Sequence, residues 1–177
     1  MLRFALLLVM ALVAAPAIAL DAFADARAVA FDGMRLTQAA TGATPVERWR
    51  EFVPDGEPIA RWTRLASIRE YPTHPDPKAL AMGLLQALKK QNPEAPSSII
   101  QHPATDEVIV DFITWPPDRS FTEFNLFRYG KRDGGGVVAQ QYALRHYGEA
   151  TAFLRGLKAE RKRLVELMAK EGLRAVR

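Results

Sequence analysis

The sequence contains no cysteine. That excludes disulfides as a source of stability, excludes thiolate metal sites, and excludes acylation of a cysteine behind a leader. Histidine is scarce too. His74, His102 and His146 are the only three, each in a separate segment, with no pair at metal-ligand spacing and no H-E-x-x-H. No metal site and no cofactor are expected. Of the four serines, Ser67, Ser97, Ser98 and Ser120, none stands in a G-x-S-x-G elbow. The glycine run Gly134-Gly135-Gly136 joins two β-rich stretches and opens no helix, so it lacks the context of a phosphate-binding loop. Beyond the N-terminus no apolar run is long enough to cross about 30 Å of hydrocarbon. No catalytic residue can be named from any local motif.

Met1–Ala19 has the pattern of a secretory signal peptide. Arg3 supplies the positive start, Phe4 to Ala15 the apolar run, and Ala17-Ile18-Ala19 a small-x-small cleavage site, with Ala22-Phe23-Ala24 as a second. An uncleaved anchor is the other reading. The expected location is periplasmic or secreted. From residue 20 to 177 one α+β domain is expected, large enough to bury its own core without disulfides. The formal net charge is +4, and it sits at one end. From Gly148 to Arg177 there are eight Lys/Arg against four Asp/Glu. Export argues against nucleic acid as the partner of this basic segment, and the interleaved acids make it read as a solvated helix face; weak contact with an anionic surface is the alternative.

The densest β signal runs from Glu107 to Tyr147: EVIVDFITW, FTEFNLFRY and VVAQQYALRHY, separated by PPDRS and GKRDGGG. Connections this short cannot hold a crossover helix, so an antiparallel meander is predicted over 107–147. Helices flank it. The first is predicted near 77–91, with Asp76 as N-cap, Pro77 at N1, a Leu80/Leu84/Leu88 stripe, and Lys89 and Lys90 in the last turn. The second spans about 149–170, with Phe153, Leu157, Leu164 and Met168 on its apolar side, Gly172 as C-cap, and Arg161 interrupting the stripe with its head in water. Earlier strands are read at Arg35–Ala40 and Trp62–Tyr71, with a turn at Pro54-Asp55-Gly56-Glu57, and Ile99–Gln101 as an edge strand. Residues 20–35 stay undecided, because alternating alanines carry a strand period in a helix-forming residue. Across most of the chain this element order resembles the PsbP-like α/β sandwiches, in which helices flank an antiparallel sheet. The chain also looks like small exported proteins of Gram-negative bacteria that have no assigned function. Neither resemblance carries over a ligand or a functional residue.

Side-chain alternation in the meander sharpens the candidates. A first connection centred near Pro117 places Val108, Val110, Phe112, Phe124, Leu126, Ala139 and Ala143 on one apolar face, which is expected to take the helices. The second face then mixes aromatics with polar groups: Asp111, Trp115, Glu123, Asn125, Tyr142 and His146. These six are the candidate ligand-binding residues, since pockets combine apolar walls with a few convergent polar groups. Trp115, beside Pro116-Pro117, forms either a recognition rim or a buried cap on the sheet. In this register Arg128 and Arg145 lie on the opposite face, leaving Asp111 to water or a ligand. The favoured function is non-catalytic binding of a small ligand or an envelope protein. The alternative is a hydrolase using Asp111, Glu123 and His146 for acid–base chemistry.

Overall fold

A computed structural model describes Phe23 and residues 25–176. The predicted leader, Met1–Ala19, lies outside them. The elements in chain order are β1 (Ala28–Phe31), β2 (Met34–Ala43), β3 (Arg48–Val53), β4 (Arg64–Tyr71), α1 (Pro77–Gln91), β5 (Ser97–Gln101), β6 (Val108–Thr114), β7 (Phe121–Lys131), β8 (Val137–Tyr147), α2 (Thr151–Lys170) and β9 (Arg174–Val176). All nine strands form one antiparallel sheet in the order β5-β6-β7-β8-β4-β3-β2-β1-β9. The fold is α+β, as the sequence predicts.

Two four-stranded meanders, β1–β4 and β5–β8, are joined edge to edge by β4 pairing with β8. Residues 20–35, undecided from sequence, contain β1 and the turn into β2. Asp32 and Gly33 both have positive φ, 50° and 71°, which is the two-residue hairpin chemistry of an Asp-Gly pair. The short β9 returns to the far edge and pairs with β1. α2 makes that return possible. Its 20 residues span about 30 Å at roughly 1.5 Å each, and the slot for β9 lies five strands from β8, about 24 Å at roughly 4.8 Å per strand.

The helices lie on opposite faces of the sheet, not together on one. α1 packs Ala81 and Leu88 against Val108, Val110, Phe112, Phe127, Tyr129, Val137 and Ala139. α2 packs Leu157, Leu164 and Met168 on the other side against Ile109, Phe124, Leu126 and Tyr142, with Phe31, Leu36, Phe52 and Ile68 from the first meander. The difference from the sequence reading traces to β7. The β6–β7 register pairs Val110 with Phe127 and Asp111 with Leu126, so the connection turns between Asp118 and Arg119 and not at Pro117. That half-integral shift inverts β7, moving Phe124 and Leu126 to the face of Asp111, and Glu123 and Asn125 away from it. β8 still falls as predicted, because the β7–β8 register inverts a second time.

α2 is latched to the sheet at its C-terminal end. Arg128 Nη1 donates to the Met168 carbonyl at 3.3 Å, one of the carbonyls a helix end leaves unpaired. Gly172 has φ +63° just past the helix, and a Cβ there would sit 2.3 Å from Gln140 Oε1. The Leu173 N–H donates to that same oxygen at 2.8 Å. Among the described residues no helix is long and apolar enough to cross a membrane.

Candidate functional site

The six candidate residues divide among three places. Asp111 and Tyr142 lie beneath α2, and His146 lies on the same face near the start of that helix. Glu123 and Asn125 face the α1 side. Trp115 stands just past the end of β6.

Asp111 is buried, with 6% of its side chain exposed, and fully engaged. Arg161 of α2 donates Nε to Oδ1 and Nη2 to Oδ2, both at 2.6 Å. Ser98, the residue opposite on β5, donates its hydroxyl to Oδ2 and accepts from Arg161 Nη2 at 2.6 Å. The hydrogen bonds to Asp111 hold the Arg161 guanidinium pKa above its ordinary value. The expectation that Asp111 meets only water or a ligand is therefore corrected. Arg128 does share its face, but is committed to Glu107 at 2.7 Å; the cation is Arg161, whose interruption of the α2 stripe was the available signal. Tyr142 is a core residue, 1% exposed and packed on Phe31 with ring centroids 4.6 Å apart. Burial pushes its phenol pKa up.

On the α1 face, Glu123 accepts from Arg145 Nε at 2.6 Å, and Asn125 accepts from Gln141 Nε2 at 2.9 Å. Arg145 is enclosed by aromatics, 3.9 Å from the Trp62 ring centroid and 4.3 Å from that of Phe121. Farther along, Arg69 binds Glu47 at 2.7 Å and Glu51 at 3.2 Å, and the Tyr71 hydroxyl donates to Glu47 at 2.9 Å. The ion pairs of this stripe close on one another, while Ser67 Oγ, Arg69 Nε and Gln141 Oε1 are buried without a hydrogen-bond partner among the described residues. Asp111, Glu123 and His146, the residues the hydrolase reading needs on one face, do not converge. Among the described residues no three His, Asp or Glu side chains are grouped so as to hold a metal ion.

A cleft of about 450 Å³ opens where β6 ends and β7 and α2 begin, lined by Ile113, Trp115, Arg119, Thr122, Glu149, Thr151 and Leu154. The local sequence builds it. Pro117 sets the first central position of the Pro116–Arg119 turn, closed by the Arg119 N–H to the Pro116 carbonyl at 2.9 Å. Arg119 then takes φ +52°, a region a non-glycine residue rarely enters. Its guanidinium lies 5.5 Å from the Trp115 ring centroid. Half-buried Trp115 thus forms a wall of the cleft, matching the rim alternative and not the buried cap.

The opposite wall is the start of α2. Its N-cap, Ala150, has no side-chain acceptor. Glu149 reaches forward to accept the Thr151 N–H at 2.6 Å, and the Thr151 hydrogen bonds hold its carboxyl pKa below the ordinary value. His146, opposite Thr122 on the β7–β8 ladder, stacks on Phe153 at 5.5 Å and makes a 2.9 Å hydrogen bond to the Glu149 carbonyl. It orders the rim of the cleft without lining it. A larger groove, about 560 Å³, lies over the β2–β3 end and contains none of the six candidates. Arg119, Thr122 and Glu149 escaped the sequence reading because no local pattern brings a turn, a strand and a helix start together.

No curated protein matches the chain at a significant level. A family model does match it over residues 24–173, and the chain belongs to that family, whose function is uncharacterised.

Proposed function

We propose that this protein is a non-catalytic binding domain of the cell envelope that takes a small ligand in the cleft between Trp115 and the start of α2. One observation carries the reading: an aromatic wall, aliphatic side chains and a few polar groups surround a single cleft of about 450 Å³, within the ~300–1,000 Å³ range of small-molecule sites. Localisation to the periplasm or outside the cell rests on the Met1–Ala19 pattern alone. The likeness to PsbP-like sandwiches rests on helices flanking one antiparallel sheet and carries no ligand with it. A weak anionic-surface contact is a secondary reading for the solvent side of α2. There Arg155, Lys158 and Lys162 are exposed, although Arg163 is tied to Glu160 and Asp32.

The hydrolase alternative has less support, because its three residues occupy separate environments and the Asp111 carboxylate is held by Arg161. The test is a thermal-shift screen of the mature protein against metabolites and envelope components, run in parallel on Trp115→Ala. Ligands that raise the melting temperature of wild type and not of the variant support the cleft. Hits that stabilise both proteins equally place binding elsewhere and refute the reading.

A further inference from the structure

Resting on that reading of the cleft, we infer that its ligand is zwitterionic: a small molecule carrying a carboxylate and an ammonium on an apolar body, as a free apolar amino acid does. The argument starts from the charges. Arg119 and Glu149 line the same cleft but form no ion pair with each other. Arg119 has no carboxylate partner among the described residues. Its position depends on a strained φ of +52° and on the face of Trp115, and such strain at a cleft is a pointer to function. Glu149 is held by Thr151 through its N–H at 2.6 Å and its side chain, but forms no ion pair with a Lys or Arg among the described residues.

The polar groups between them are also waiting for partners. Thr122 is 9% exposed, and its hydroxyl makes no hydrogen bond among the described residues. Among the described residues the first-turn N–H groups of Ala152 and Phe153 have no acceptor, and the helix start that lines the cleft through Ala150 and Thr151 carries partial positive charge. A carboxylate fits beside Arg119, Thr122 and the helix start. An ammonium fits beside the Glu149 carboxylate, which lines the cleft without a Lys or Arg partner among the described residues. Ile113, Leu154 and the Trp115 ring receive the apolar body.

Ligands with one charge fit less well. A plain anion meets the Glu149 carboxylate, and a plain cation meets Arg119 and the positive helix end. Only a molecule with both charges completes both sets of contacts, and opposite charges separated by a short apolar frame match two opposed groups that do not touch.

Calorimetric titration of the mature protein with L-leucine and L-phenylalanine tests this. Their N-acetyl derivatives remove the ammonium charge, and their amides remove the carboxylate. The expected result is that either blocked form binds at least tenfold more weakly than the free amino acid. Arg119→Gln should erase the preference for the free acid over the amide, and Glu149→Gln the preference for the free amine over the N-acetyl form. Both residues are exposed, so both variants should melt with wild type. Blocked forms that bind as tightly as the free amino acids, with binding still lost in Trp115→Ala, overturn the zwitterion and leave the cleft standing. If no free or blocked compound binds, the zwitterion is overturned, and the Trp115→Ala screen separately decides the cleft.

Discussion

Removing either member of the Asp111–Arg161 pair should destabilise the protein by very different amounts. Asp111 has 6% of its side chain exposed and Arg161 42%. In Asp111→Ala the orphaned guanidinium can turn outward to water, so the cost is the net value of the lost charge-assisted hydrogen bonds, about 1–2 kcal/mol. In Arg161→Ala the carboxylate stays between Ile109 and Ile113 under α2, with the Ser98 hydroxyl as its one remaining donor. Leaving a buried charge uncompensated costs about 3–5 kcal/mol. The double variant should lose less than the two single losses combined, because a charge is no longer stranded. Urea unfolding at neutral pH, followed by tryptophan fluorescence and far-UV circular dichroism, gives all three values from one slope if the transition is two-state. The reasoning fails if Asp111→Ala is the more damaging single change, or if the two losses add within about 0.5 kcal/mol.

Three further outcomes are expected. Leu164→Ala, at a position 2% exposed in the α2 core, should cost about 2–5 kcal/mol in the same unfolding assay; a wild-type midpoint would mean that α2 does not dock. A chain ending at Leu173 loses β9 and its pairing with β1, so deletion of Arg174–Arg177 should cost about 1–3 kcal/mol, from a few backbone hydrogen bonds and the packing of Ala175. An unchanged midpoint would show that β9 adds nothing to the stability of the sheet. Burial, reinforced by the charge of neighbouring Tyr71, pushes the Tyr129 phenol pKa up. The unfolded phenol ionises near pH 10 while the folded one stays protonated. Its contribution is therefore complete below about pH 10 and declines as pH rises from there toward the folded pKa. Tyr129→Phe should flatten the alkaline loss of stability, and an unaltered slope would show that Tyr129 is not buried.

Local signals are legible in the chain where they carry their own geometry. The Asp76 carboxylate accepts the Lys78 N–H at 2.8 Å and Pro77 opens α1, so a helix over Pro77–Gln91 was legible in the chain. So was the β6–β8 meander, whose strands are dense in β-branched and aromatic residues and whose connections are too short to cross over. Trp115 beside two prolines leaves a rim and a buried cap as alternatives, and only the folded cleft separates them. Strand parity leaves Asp111 to water or a ligand, because no local pattern matches it to Arg161, 50 residues farther on.

By itself, then, the sequence determined the identity and order of most elements, because capping, proline placement and hydrophobic period act over a few neighbouring residues. Only the tertiary structure decided which face each strand presents and which distant segments meet. A connection centred between Asp118 and Arg119 and not on Pro117 inverts all of β7, since side chains alternate with a period of two. The pairing of β4 with β8, the return of β9 to β1, and the cleft joining Trp115, Thr122 and Glu149 all bring together residues far apart in sequence. Such contacts form only when the whole core closes, because only then does burial compensate the entropy of ordering the chain between them.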